Sequence, residues 1–191
     1  MIMSYIEKAS DATLALSRRV CHIEGLSSIV IGHTECGGLI RVFLAWEGLP
    51  ESHLNGKLPL GIHDHQYGIE ITVLSGEIVN TIYEINNQGR MLNHFIYHHS
   101  GRASKVGFNY IGIKEQQYGE SFQMVASDIH NVFALKRSSW IVEEGPVVQE
   151  ETNLWSPDTA VTCSNGFYES RDELVKHVRK FYGNHNSVWR R

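Results

Sequence analysis

The sequence predicts an all-β protein, a jelly-roll barrel with a short helix at each end. Three observations predict it. From Ser27 onward the chain breaks into short β-branched and aromatic runs divided by Gly, Asn and Ser, the texture of a sandwich or barrel. Before that point Ile6, Ala9, Leu14, Leu16, Val20 and Ile23 recur at roughly helical intervals. Near the other end Ser170-Arg171-Asp172-Glu173, followed by Leu174, Val175, Val178 and Phe181, reads as a capped amphipathic helix.

Taken in order, residues 4–24 are predicted helical, with Ser10-Asp11 as a break or cap and Gly25 as the stop. The predicted strands are Ser28–His33, Leu39–Trp46, Leu60–His65, Ile69–Leu74, Glu77–Ile85, Met91–His98, Lys105–Ile113, Ser121–Ala126, His130–Lys136 and Trp140–Glu143. Asn86-Asn87-Gln88-Gly89 is read as a hairpin turn, because Asn and Gly tolerate positive φ. Tyr118-Gly119 and Glu144-Gly145-Pro146 are further turn signals, and residues 145–165 look irregular. One domain over 1–191 is expected: a helical extension at about 4–26, a barrel at about 27–150, and an irregular segment with a helix at about 151–185. Tyr83, Phe108, Tyr110, Phe133 and Trp140 are assigned to the barrel core.

A chain of 191 residues buries a sizeable core without staples, and Cys21, Cys36 and Cys163 form neither a C-x-x-C pair nor an even framework. A formal charge of −4 with only small basic groups (Arg18-Arg19, Lys136-Arg137, Arg190-Arg191) argues against a nucleic-acid partner. No apolar run approaches a membrane span, and Met1 to Lys8 lacks the basic-then-apolar order of a secretory signal. The expected location is the cytoplasm.

Chemistry concentrates in Gly61-Ile62-His63-Asp64-His65-Gln66-Tyr67-Gly68-Ile69-Glu70. His63 and His65, one residue apart, project from the same face of an extended strand. Glu70 opens the next β-run, Gly68 frees the connection between them, and Gly76 closes that run. The third imidazole expected from a distant strand is His130, which opens an apolar run. His94, His98 and His99 compete for that role but end at a turn, while His22, His33, His53, His177 and His185 are read as surface or packing residues. Neutral imidazoles with one carboxylate suit Fe(II), Mn(II), Ni(II), Co(II) or Zn(II). Tyr67, between the ligands, is a candidate catalytic hydrogen-bonding group, set against an exposed turn tyrosine, and Glu70 is a candidate base. Arg41, a lone cation in Leu39–Trp46, is a candidate clamp for a substrate carboxylate, set against a strand-edge arginine facing water.

This segment resembles the first signature of the cupin superfamily, G-x5-H-x-H-x3,4-E-x6-G. The four residues between His65 and Glu70 fit; Gly61 is too close to His63, Gly56 one residue too far, and the gap from Glu70 to Gly76 one short. The second signature, P-x-G-x2-H-x3-N, survives only as His130, with Val125, Ser127 and Ala134 at its other positions. The resemblance implies a double-stranded β-helix, and a metal on His63, His65, Glu70 and His130. Within the superfamily, Ile62-His63-Asp64-His65 and Asp128-Ile129-His130-Asn131-Val132 look like thiol dioxygenases of the cysteine dioxygenase type. Those enzymes hold ferrous iron on three histidines, and several carry cysteine where this chain has Glu70. Their Ser-x-His-x-Tyr series is replaced here by Glu143, Gly145 and Val147.

The resemblance leads to an expected function: a non-haem Fe(II) dioxygenase acting with O2 on a small molecule inside the barrel. The alternatives are a non-oxidative isomerase or lyase using Zn, Mn or Ni, and a cupin that binds a small ligand without catalysis. The alternation of Ile69, Ile71 and Val73 against Glu70, Thr72 and Leu74 carries a corollary. If Glu70 faces inward, the apolar set faces out and requires a covering helix or a homodimer partner.

Overall fold

The computed structural model describes residues 2–22, 25–49, 61–97, 103–157 and 164–183. Two helices, α1 (Ile2–Lys8) and α2 (Asp11–Leu14), precede the strands β1 (Arg18–His22), β2 (Leu26–His33) and β3 (Leu39–Ala45). Then come β4 (Ile62–His63), β5 (Tyr67–Ser75), β6 (Ile78–Tyr97), β7 (Ala103–Tyr118) and β8 (Ser121–Met124). The chain continues through β9 (Ile129–Ala134), β10 (Ser138–Val147), β11 (Thr152–Ser156) and β12 (Ser164–Phe167) to the helix α3 (Arg171–Tyr182). The strands form two antiparallel sheets, β12-β1-β2-β3-β10-β5-β8 and β11-β4-β9-β6-β7, in a jelly-roll arrangement.

Period-2 alternation divides the larger sheet into two faces. On β3, Val42 and Leu44 turn out to join Ile29, Ile31, Ile2, Ile6, Leu174, Val178 and Phe181 beneath α1 and α3. The residues that alternate with them, Arg41 and Phe43, turn inward, and Phe43 stacks on Trp140 of β10 at 5.5 Å. On β5, Ile69 and Ile71 belong to the interior cluster with Ile78, Phe122, Met124 and Phe133, with Tyr67 and Val73 packed against it. The helices thus cover the face that the strands leave apolar on the outside, while the interior keeps room for polar side chains.

Several local expectations give way to long-range pairing. The predicted helix over 4–24 is two short helices and a strand. Ser10 caps α2 by accepting from Thr13 N–H at 3.1 Å, and β1 leaves the helical path to pair with β2 and β12. The buried Ser17 fixes that exit by accepting from Val30 N–H at 2.9 Å. Asn86–Gly89 makes no hairpin, because β6 runs through it from Ile78 to Tyr97. Ile85 and Arg90 both face Ile111, so the four residues between them loop out of the register as a bulge. Gly89 lies where a Cβ would meet the backbone of Ile111 at 2.2 Å, which explains the glycine without a turn. Glu144-Gly145-Pro146 falls inside β10 rather than at a turn, and β11 and β12 lie in the stretch expected to be irregular. At the other end α3 begins as expected, with Ser170 accepting from Glu173 N–H.

Tyr83, Phe133 and Trp140 are buried, but Phe108 and Tyr110 are not: they are exposed on β7. Leu60, His53, Gly56, His98, His99, Cys163, His185 and Arg190-Arg191 lie outside the described residues. Among the described residues no helix is long and apolar enough to cross a membrane.

Candidate metal centre

His63 on β4 and His130 on β9 stand directly opposite each other across an antiparallel pair, so their side chains share a face. His65 follows just beyond β4, held by its own N–H on Ala126 O at 3.0 Å. The three rings meet with centroids 4.7, 4.9 and 5.0 Å apart, and their ligating nitrogens all lie within 4.8 Å of one another. His65 Nε2 and His130 Nε2 are 2.8 Å apart.

The hydrogen bonds behind the rings fix which nitrogens point inward. The amide nitrogen of Asn80 donates to Gln117 and to Met124 Sδ, leaving its Oδ1 to accept from His130 Nδ1 at 2.8 Å. Gly61 O accepts from His63 Nδ1 at 2.7 Å. Both residues therefore turn an unprotonated Nε2 into the cluster, the orientation that histidine ligands need. Converging lone pairs repel unless a cation or a shared proton lies between them, so this donor set fits a divalent transition metal.

Asp64 separates the two histidines without joining them. Its buried carboxylate turns to β11, where Oδ1 accepts from Asn153 N–H at 2.6 Å and Oδ2 from the Asn153 amide at 2.7 Å. Asn153 Oδ1 in turn accepts from His94 Nε2 at 2.8 Å, and His94 stacks on Trp155. The competing histidine is thus tied into this brace rather than into the cluster.

Glu70 does not reach the histidines. It is exposed on β5, accepts weakly from Gln123 at 3.4 Å, and has Glu143 as its β10 neighbour. The reason is parity: Tyr67, Ile69 and Ile71 take the inward face, which leaves Glu70 and Thr72 outside. The apolar set of β5 is accordingly barrel interior and needs no cover.

Tyr67 and Arg41 do turn inward. The Tyr67 ring lies 5.7 Å from that of His65. Arg41 Nε donates to Glu144 Oε1 at 2.7 Å, and Glu144 Oε2 accepts from Leu39 N–H at 3.0 Å. Burial first, then the Glu144 carboxylate, pushes the Tyr67 hydroxyl well above its usual range and keeps it protonated. Glu144 is the residue the sequence reading missed. Its signal was the alternation Trp140, Val142, Glu144 on β10, which carries the acid to the same face as Arg41. Gly38 permits this packing, because a Cβ there would meet Glu144 O at 2.2 Å.

Burial also lowers the basicity of His63, and of His65 and His130 more strongly; for the latter two the neighbouring imidazoles add to it. His177, on α3 and packed against Trp46, is lowered by burial too. The sign follows from linkage: groups kept neutral in the fold protonate more readily when unfolded. Their stabilising contribution is full above the ordinary histidine value of 6.5 and is lost as pH falls below it. Thermal melts of metal-free protein at pH 7.5, 6 and 5 should show a falling midpoint. A flat profile would mean these rings are not held neutral.

No protein-family model matches the chain, and the comparison with curated proteins finds no relative. Among solved structures it is similar to Pac13, described as a nucleoside dehydratase with a β-barrel. The identity is 12% and the TM-score 0.33, over 84% of this chain and 93% of that one. Two single-residue variants of Streptomyces Pac13 with uridine give a TM-score of 0.34 at the same identity and coverage. The likeness at these values is remote.

Proposed function

We propose that the protein is a metal-dependent small-molecule enzyme, a non-haem Fe(II) dioxygenase with the three-histidine ligand set of the cysteine dioxygenase type. The observation that carries this reading is the convergence of His63, His65 and His130, with no carboxylate joining them among the described residues. The placement of Glu70 removes one of the two features that set the chain apart from that type; the replacement of the Ser-x-His-x-Tyr series by Glu143, Gly145 and Val147 stays. Three protein ligands on an octahedral metal leave three positions, enough for a bidentate substrate and O2. When bound, the ferrous ion would supply the positions at which substrate and O2 meet and would relay electrons from the substrate, which is oxidised, to O2.

The protein's own groups supply position and polarity. Tyr67 lays its ring beside that of His65 and keeps against Glu144 a protonated hydroxyl whose oxygen can accept from a polar substrate atom. Arg41 commits Nε to Glu144 and has further guanidinium N–H groups for a substrate anion, on a pair whose net charge is zero. Asn80 and the Gly61 carbonyl hold the His130 and His63 rings in register with the site.

The test is elemental analysis of purified protein followed by O2-uptake screening, first with small thiols, then with diketones and catechol-like acids. About one iron per chain with substrate-dependent O2 consumption is the expected result. Zinc with anaerobic turnover would replace this reading with a non-oxidative isomerase or lyase. A folded protein that retains no metal would leave a ligand-binding cupin.

A further inference from the structure

β7 ends the five-stranded sheet and pairs only with β6 among the described residues. It is an unusual edge. Of its sixteen residues Ile111 alone is buried, while Val106, Phe108, Tyr110 and Ile113 are 51, 62, 43 and 47% exposed. Met91, opposite Tyr110 on β6, is 56% exposed and extends the apolar surface inward from the edge. A long edge of this kind is a template for another strand, and proteins cover it or blunt it.

We propose that β7 pairs with β7 of a second copy of this chain, antiparallel, across a two-fold axis at Tyr110. The strand is self-complementary about that residue in three independent ways. Its two bulges each leave one residue out of the β6 register, Val106 at one end and Lys114 at the other, and the two are equidistant from Tyr110. Both copies therefore bend at matching places, and the pairing continues past each bulge. The same register sets Lys105 opposite Glu115 of the second copy, so symmetry makes that attractive pair twice. It also sets Ile113 opposite Gly107, a large apolar side chain over a glycine with open space above it. The resulting interface is isologous and joins two five-stranded sheets into one. The inference is independent of the metal site, which lies on other strands.

The test is sedimentation analysis of the full chain over a range of concentrations. Wild type is expected to sediment at twice the 21.7 kDa chain mass. Lys105→Glu makes both symmetry-related pairs repulsive and should weaken the dimer by roughly tenfold or more. Glu115→Lys should do the same, and the two together should restore the wild-type constant. Tyr110→Lys, which opposes two cations on the axis, should give a monomer with unchanged far-ultraviolet circular dichroism and metal content. A monomer at every concentration would overturn the proposal and assign the bulges and lysines to edge protection. A dimer indifferent to both reversals, or one that the double reversal does not restore, would overturn it equally.

Discussion

Replacing His130 with alanine is expected to remove the metal while leaving a folded barrel. His130 is 3% exposed and its Nε2 is held toward His65 by Asn80, while His94, the described competitor for its role, is tied to Asn153. Disturbing the partners that orient a ligand costs roughly 10–100-fold in metal affinity, and loss of the ligand itself should cost at least that much. The metal measured per chain after dialysis should fall at least roughly tenfold by the same argument. The substitution also leaves Asn80 Oδ1 without its donor, at a cost of about 1–3 kcal/mol, so circular dichroism must accompany the elemental analysis. His63→Ala provides the control, because the group it orphans is a backbone carbonyl at the half-buried mouth of the site. If both variants keep the wild-type metal content, the ion does not sit on these histidines.

The site was legible wherever the residues that build it are local or announce their own chemistry. His63 and His65 follow from spacing alone, and His130 from being an imidazole at the head of an apolar strand. Glu70 was misplaced because a signature counts residues but not faces. The chain kinks between β4 and β5, and the parity of β5 restarts at Tyr67. The apolar run Ile69, Ile71 and Val73 held the contrary evidence, since an inward Glu70 would have exposed all three. Fold errors have a related cause. Arg18–His22 carries a helical spacing but pairs along its length with β12, and no local window contains a strand so far along the chain. Asn86–Gly89 has the composition of a turn, yet the pairing of β6 with β7 on both sides of it favours a bulge over a reversal. Glu144 was missed because Glu144-Gly145-Pro146 has the composition of a turn, and an acid there means little until β10 runs through it and an arginine from β3 is seen to face it.

That pair supports the second large prediction. Glu144→Ala is expected to destabilise the fold by about 3 kcal/mol, the low end of the cost of breaking a buried ion pair. The low end applies because the Arg41 side chain is 24% exposed and water screens part of its charge, while that of Glu144 is 7% exposed. The substitution leaves the guanidinium inside the barrel without its acceptor and removes the acceptor for Leu39 N–H. Chemical denaturation should show a lower midpoint at an unchanged slope, which separates lost stability from a change in the unfolded state. Removing both charges, as Arg41→Met with Glu144→Leu, should recover most of the loss, because an apolar pair owes no desolvation cost. The same double variant should remain inactive, since Arg41 is lost and the Tyr67 hydroxyl loses its carboxylate neighbour. A Glu144→Ala variant as stable as wild type would show the pair to be solvated rather than buried. A double variant with full activity would place the pair outside the substrate's reach, leaving Tyr67 and the three histidines as the working surface of the barrel.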